Sequence, residues 1–131
     1  MDYKVLLLIG MLFFHIIDDY YLQGFLASAK QKSWWEKNFP NPLYKHDYIM
    51  ALIEHAFSWT VMIHIPIVVY VITYGIEVPN LITAYIIFFG NIVFHAIIDH
   101  SKANLLKINL IQDQIMHVVQ IICTWCLYAM L

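Results

Sequence analysis

Three pairs of histidine and aspartate, each with its members four residues apart, are the residues of this sequence best suited to chemistry. They are His15 and Asp19, His95 and Asp99, and Asp113 and His117. A spacing of four places both side chains of a pair on one face of a helix, one turn apart. Imidazole and carboxylate groups arranged in this way are typical ligands of zinc and of di-metal sites in helical bundles. The three pairs therefore predict a metal centre.

The pairs lie inside apolar runs of an unusually hydrophobic chain. Of its 131 residues, 62% are hydrophobic and 12% are charged, and the mean hydropathy is +0.68. An ionisable group within a membrane costs about 2.5–3.5 kcal/mol, so its presence there is a functional hypothesis by default. The formal charge of −2, without any basic stripe, argues against nucleic acid as a partner.

Four segments are long and apolar enough to cross a membrane, for which about 20 residues suffice. They run approximately over 5–27, 48–74, 81–100 and 110–130. We therefore expect an all-α fold, a single domain over 1–131 with four transmembrane helices. Asp47 is expected to cap the second helix, Pro66 to kink it, and Pro79 with Asn80 to form a turn before the third.

The lysines predict the orientation. Six of the seven lie in the segments 28–47 and 101–109, which four spans place on the same side, and only Lys4 lies on the other side. By the positive-inside rule both segments are cytoplasmic and both termini lie outside. The polar residues of all four spans then meet in the cytoplasmic half of the membrane.

The seven candidate metal ligands share that depth: His15, Asp19, His55, His95, Asp99, Asp113 and His117. Facing carboxylates in a low dielectric repel one another, which favours a bound cation. Zinc is expected, with manganese or iron as alternatives, and seven ligands suit one or two divalent ions. The amides expected to hydrogen-bond the imidazoles are those of Gln23, Asn91, Gln114 and Gln120.

Two other interpretations of the cluster remain open. The same residues could form a proton or ion relay, or a polar network that only holds the helices together. Cys123 and Cys126 lie inside the last apolar run, where two small residues packing in a helix are expected rather than a redox or metal motif.

Three motifs in combination resemble a family of short integral membrane proteins of bacteria and phages that is carried as a domain of unknown function. The motifs are His15-x3-Asp19-x3-Gln23, His95-x3-Asp99-x2-Lys102 and Asp113-Gln114-x2-His117. The resemblance covers nearly the whole chain and implies a small multi-span fold with a shared polar site in a bacterial inner membrane. The chain is more loosely similar to membrane-bound metal-dependent hydrolases.

One functional hypothesis is a metal-dependent hydrolase that works at the cytoplasmic leaflet. The metal would polarise a phosphoryl or acyl oxygen and activate a bound water. Glu54 or Asp18 could act as general base. Lys30, Lys32, Lys102 and Lys107 could attract an anionic head group. The substrate would be a membrane lipid, a lipid-linked phosphate or a small anion.

A second hypothesis is a transporter or channel for a divalent ion or protons. The duplicated His-x3-Asp phrase suits a helical repeat, although the outer halves of the spans are almost wholly apolar. A third is a small phage protein that binds a host membrane partner, in which the cluster serves only folding. Four short helices leave a thin shell around a charged site, which a second copy of the chain could thicken.

Overall fold

The computed structural model describes residues 2–75 and 81–129, and the regular structure in these residues is entirely helical. The elements in chain order are α1 (Tyr3–Ile17), a π-helical turn (Asp18–Leu22), α2 (Leu26–Ala29), α3 (Lys32–Asn38), a 3-10 turn (Pro42–Tyr44), α4 (Asp47–Tyr74), α5 (Leu81–Ala103) and α6 (Leu110–Ala129).

Four helical segments are long and apolar enough to cross a membrane: Tyr3–Leu22, Pro42–Tyr74, Ile82–Ala103 and Leu110–Ala129. The predicted all-α fold with four such helices is confirmed. The end of the first span was predicted least well. We expected this helix to continue to Ala27, whereas the span ends at Leu22. Three residues of the sequence prediction, Pro79, Asn80 and Met130, lie outside the described residues.

The four long helices form a closed ring. Helix α1 contacts α4, α4 contacts α5, α5 contacts α6, and α6 returns to α1. Such a ring encloses one shared interior, as in other four-helix bundles. Large apolar side chains also cover the outside, among them Phe13, Phe94 and Ile111, as expected of helices that are hydrophobic all round.

The interior is divided along the bundle axis. The apolar core is built from Leu7, Met11, Trp59, Ile63, Ile67, Tyr70, Ile121 and Tyr128. It fills the half of the bundle in which α1 begins and α4 ends. The other half encloses the buried histidines and aspartates. The apolar half therefore holds the helices together by side-chain packing. The polar half positions the histidines and aspartates.

The segment between the first two spans is a folded cap over the polar half. The side chain of Asn104, at the end of α5, donates to the carbonyl of Lys30 at 3.0 Å and accepts from the backbone N–H of Lys32 at 2.7 Å. The indole of Trp35 donates to the carbonyl of Ala29 at 2.6 Å. These bonds fix α2 and α3 against the end of α5.

One local prediction for α4 is wrong. Asp47 is the first residue of the helix, and His46 occupies the capping position. A carboxylate in the first turn still favours the helix dipole. Helix α4 continues through Pro66 as one element, and the kink at this residue stays a prediction. The neighbouring helix supports the proline ring, because a Cβ placed on Gly10 would lie only 3.2 Å from the Cβ of Pro66.

We expect Gly10→Val to destabilise the protein by about 1–3 kcal/mol, because a branched side chain there would push α1 away from the Pro66 ring. Gly90→Val is the matched control, since a Cβ at Gly90 meets no heavy atom of the described chain within 4 Å. Thermal unfolding of both variants in the same detergent measures the difference. Equal melting temperatures would contradict the close contact.

Candidate metal centre

A π-helical turn positions two adjacent carboxylates. The N–H of Gln23 donates to the carbonyl of Asp18 at 3.1 Å, five residues back, which widens the turn by one residue. Adjacent side chains of a regular helix point about 100° apart. Here both Asp18 and Asp19 are buried, with relative exposures of 1% and 9%. The wider turn therefore allows both carboxylates to face the bundle.

The first group of potential ligands is Asp19, His55 and His95. The Nε2 atom of His55 lies 3.2 Å from Nε2 of His95 and 3.4 Å from Oδ1 of Asp19. It also lies 3.4 Å from Oδ2 of Asp99. Ligand atoms that bind one zinc tetrahedrally at 2.0–2.1 Å are about 3.3–3.4 Å apart. The three distances from His55 are close to this value.

The second group of potential ligands is His95, Asp99 and His117. Oδ1 of Asp99 lies 3.2 Å from Nε2 of His117 and 3.9 Å from Nε2 of His95. Nε2 of His117 is also 3.5 Å from Oδ1 of Asp113. Asp99 thus directs one carboxylate oxygen toward each group, and all four side chains are fully buried.

Ring contacts fix the orientation of the imidazoles. The ring of His95 stacks on Trp59 and on His117, with 4.2 Å between centroids and 24° between planes in each pair. The centroids of Trp59 and His117 are 5.7 Å apart, so the three rings form one cluster. The indole N–H of Trp59 donates to Nδ1 of His15 at 2.8 Å. Because this nitrogen of His15 already accepts a hydrogen bond, neutral His15 carries its proton on Nε2.

Two lysines compensate part of the charge. Nζ of Lys30 lies 2.5 Å from Oδ2 of Asp99, and Nζ of Lys102 lies 2.5 Å from Oδ2 of Asp113. Together with Asp18 and Asp19 the cluster contains four carboxylates and two ammonium groups. With neutral imidazoles its formal charge is −2. An uncompensated charge of this size is costly in a dry interior, and one divalent cation would cancel it.

Neutral side chains complete the surroundings of the carboxylates. Ser58 donates to Oδ1 of Asp18 at 2.6 Å, and Oδ2 of Asp18 lies 3.6 Å from Nδ1 of His55. A carboxylate behind an imidazole is the usual device that orients a histidine toward a metal. Gln114 donates to Oδ2 of Asp19 at 3.0 Å and to Oδ2 of Asp113 at 3.2 Å.

The structure brings together most, though not all, of the residues singled out from the sequence. Five of the seven candidate ligands belong to the two groups described above. Of the other two, Asp113 lies beside His117, and His15 accepts the hydrogen bond from the indole of Trp59. Among the candidate catalytic residues, Asp18 lies inside the cluster and Lys102 pairs with Asp113. Glu54 is exposed, so it is not brought to the cluster.

Only one of the four amides expected near the imidazoles, Gln114, contacts the carboxylates. Gln23 donates to the backbone carbonyl of Asp19. Asn91 and Gln120 bond to one another and, with Thr124, form a separate network between α5 and α6. Because this network lies deeper in the bundle, it joins the two helices and does not orient a candidate ligand.

Sequence reasoning missed Ser58 and Trp59, and it missed the pairing of Lys30 with Asp99. Lys30 lies in a charged segment that looks solvent-exposed in the sequence, yet its relative exposure is 6%. Trp59 follows His55 by one helical turn. This spacing of four was a usable signal, because it places the indole on the face of α4 that carries the imidazole.

A groove of about 550 Å³ opens on the side of the bundle next to this centre. The groove lies between α6 and the end of α1 with the π-helical turn that follows it. Its lining residues are Leu12, His15, Ile16, Tyr20, Tyr21, Gln114 and Val118. The polar lining includes His15 and Gln114, and the latter bonds to Asp19 and Asp113. The groove therefore reaches His15 and Gln114, and the buried carboxylates lie behind Gln114.

Fold and site together define a four-helix bundle of membrane-spanning length with a buried His/Asp cluster that could hold a metal ion. Comparisons of the chain with protein families, with curated proteins and with solved structures found no match. The resemblance to short bacterial and phage membrane proteins stays a prediction.

We expect Lys30→Met to destabilise the metal-free protein by about 3–5 kcal/mol, because it leaves a buried carboxylate without its partner. Lys32→Met is the matched control. Lys32 is 44% exposed in its side chain and pairs with Glu36 at 3.5 Å, so its loss should cost less than about 1 kcal/mol. Denaturant unfolding in detergent with a chelator measures both. Similar losses would show that the Lys30–Asp99 pair does not stabilise the bundle.

Proposed function

We propose that this chain is an integral membrane protein that binds one divalent metal ion through Asp19, His55 and His95, with water in the fourth position. The ion would serve to hydrolyse a lipid or a lipid-linked anionic substrate at the cytoplasmic leaflet. The observation that carries the proposal is the pair of distances from Nε2 of His55 to the other two ligand atoms, 3.2 Å to Nε2 of His95 and 3.4 Å to Oδ1 of Asp19. These distances suit the edges of a tetrahedral site.

Zinc is the ion that best fits the proposed site. Two imidazoles, one carboxylate and a water molecule form a tetrahedral N/O set for zinc, whereas manganese and magnesium prefer octahedral oxygen sites. Charge supports one ion and not two. One divalent ion neutralises the formal charge of −2, whereas a second would leave +2 in the same dry interior.

The proposed chemistry is activation of a water molecule. A bound zinc ion lowers the pKa of water toward neutrality and polarises a phosphoryl or acyl oxygen. His117 and Asp113, which lie next to Asp99, could accept the proton from that water. Asp18 then serves to orient His55, and the exposed Glu54 has no part in the reaction. Lys102, with its ammonium group at the polar end, would attract an anionic substrate.

The dimensions of α4 support a location near the membrane boundary. Its 28 residues make a helix of about 42 Å, longer than the hydrocarbon core of about 30 Å. About two turns can therefore extend into the head-group region, and the exposed Glu54 lies in the second turn. His55 follows immediately, which would place the centre at the edge of the core. The lysine-rich cap favours the cytoplasmic side for this end.

Metal analysis of the detergent-purified protein tests the proposed ion. After zinc loading and dialysis we expect about one zinc ion per chain. His95→Ala and Asp19→Asn should each lower the retained zinc more than about tenfold. His46→Ala is the control, because His46 is exposed outside the cluster. Circular dichroism and gel filtration confirm folding. A folded wild-type protein that retains no metal would overturn the proposal.

A separate experiment tests turnover. The zinc-loaded protein, reconstituted in vesicles that contain an anionic lipid, should release a phosphate or acyl product, and a chelator should abolish the release. We expect His117→Gln to lower kcat about 10²–10⁴-fold, the usual effect of losing a general base, with its zinc content unchanged. Zinc-loaded protein that forms no product from phosphate and ester lipids would exclude the hydrolase and leave the metal site.

The second candidate function is a proton or divalent-ion transporter. It is favoured by the 3.2 Å contact between the two Nε2 atoms of His55 and His95, which also suits an N–H···N hydrogen bond in a relay. Flux measurements in sealed liposomes distinguish the two functions. Proton or zinc flux without product formation would favour transport, whereas product formation without flux would favour hydrolysis.

A further inference from the structure

A second groove lies between α4 and α5, toward the end of the bundle opposite the His/Asp cluster. Its volume is about 470 Å³, and it is lined by His64 together with aliphatic and aromatic residues that include Val68, Phe88, Phe89 and Tyr128. His64 lies nine residues after His55 on the same helix, which corresponds to about 13 Å along the axis. This groove is therefore distinct from the proposed metal site.

His64 lies in the wall of this groove and has an unpaired acceptor. Its relative exposure is 8%, and its Nδ1 lies 2.7 Å from the backbone carbonyl of Thr60. Because a carbonyl oxygen can only accept, Nδ1 carries the proton and Nε2 has a free lone pair. Within residues 2–75 and 81–129, Nε2 is buried and has no hydrogen-bond partner. A buried acceptor without a donor calls for an explanation, and a donor on a ligand in the adjoining groove would supply one.

Neither of the simplest occupants satisfies this acceptor. A buried water needs two to four polar partners, and the exposed surface of the groove is almost entirely apolar. A lipid acyl chain would fill the apolar volume but has no donor for Nε2. The ligand must therefore combine a hydrophobic body with a hydroxyl group or another neutral donor.

The walls of the groove favour an aromatic body. Phe88 and Tyr128 both stand edge-on to the imidazole of His64, with centroid distances of 5.2 and 6.0 Å and interplanar angles of 64° and 88°. Aromatic rings prefer such edge-to-face and offset arrangements. Phe89 and Tyr85 extend the aromatic surface toward the outside.

We propose that this groove binds a lipid-soluble aromatic alcohol, a phenol or a hydroquinone, whose hydroxyl group donates a hydrogen bond to Nε2 of His64. The ring lies against the aromatic wall, and the rest of the molecule leaves through the lateral opening into the membrane. The site needs no metal and does not depend on the proposed hydrolase.

The test compares 4-nonylphenol with its methyl ether, 4-nonylanisole, which has the same hydrophobic body and no donor. Dissociation constants come from thermal-shift titrations of the full chain in detergent. We expect the wild-type protein to prefer the phenol about tenfold, the effect of one buried hydrogen bond. His64→Leu should remove this preference, and His46→Leu, at an exposed histidine, should retain it.

Folding of the variant is checked first. Circular dichroism and gel filtration tell whether His64→Leu is folded. If that variant does not fold, the ¹⁵N resonance of Nε2 of His64 in the wild-type protein takes its place, and it should shift with the phenol and not with the ether. Equal affinity for both probes, or a preference that persists in His64→Leu, would overturn the proposal.

Discussion

The need to balance four carboxylates in a dry interior accounts for much of this structure. Two of the carboxylates pair with lysines at 2.5 Å. Both lysines reach the cluster from the polar end of the bundle. For Lys30 this requires a folded cap, which Asn104 holds in place through two hydrogen bonds. The cap is therefore part of the charge compensation as well as a connection between spans.

The two halves of the bundle have complementary roles. A cluster of like-charged groups does not hold helices together unless its charges are balanced, because desolvation can exceed the gain from pairing. The apolar half supplies the association that the polar half lacks, through packing around Met11 and Ile63 and the close contact of Gly10 with Pro66. Trp59 belongs to both halves, since it packs in the apolar core and also stacks on His95. Its position couples the packing of the bundle to the orientation of the histidines.

The predictions that succeeded depend on local patterns. Four apolar runs of sufficient length predict four spans, and histidine and aspartate four residues apart share a helix face wherever the helix is regular. The features that the sequence did not reveal depend mostly on departures from regular helices and on tertiary contacts. The π-helical turn at Asp18 departs from the regular helical period. The burial of Lys30 was missed because it follows from the fold of the cap, which no local pattern reveals.

The stacked rings bear on whether a metal ion or protons balance the remaining charge. Two protons would also cancel a formal charge of −2, and either carboxylates or imidazoles could carry them. His95 and His117 lie 4.2 Å apart, and two positive rings at that distance repel by about 4 kcal/mol at an effective dielectric constant near 20. The ring geometry therefore disfavours protons on both of these histidines. A divalent ion, or protons on the carboxylates, would leave both rings neutral and permit their close contact.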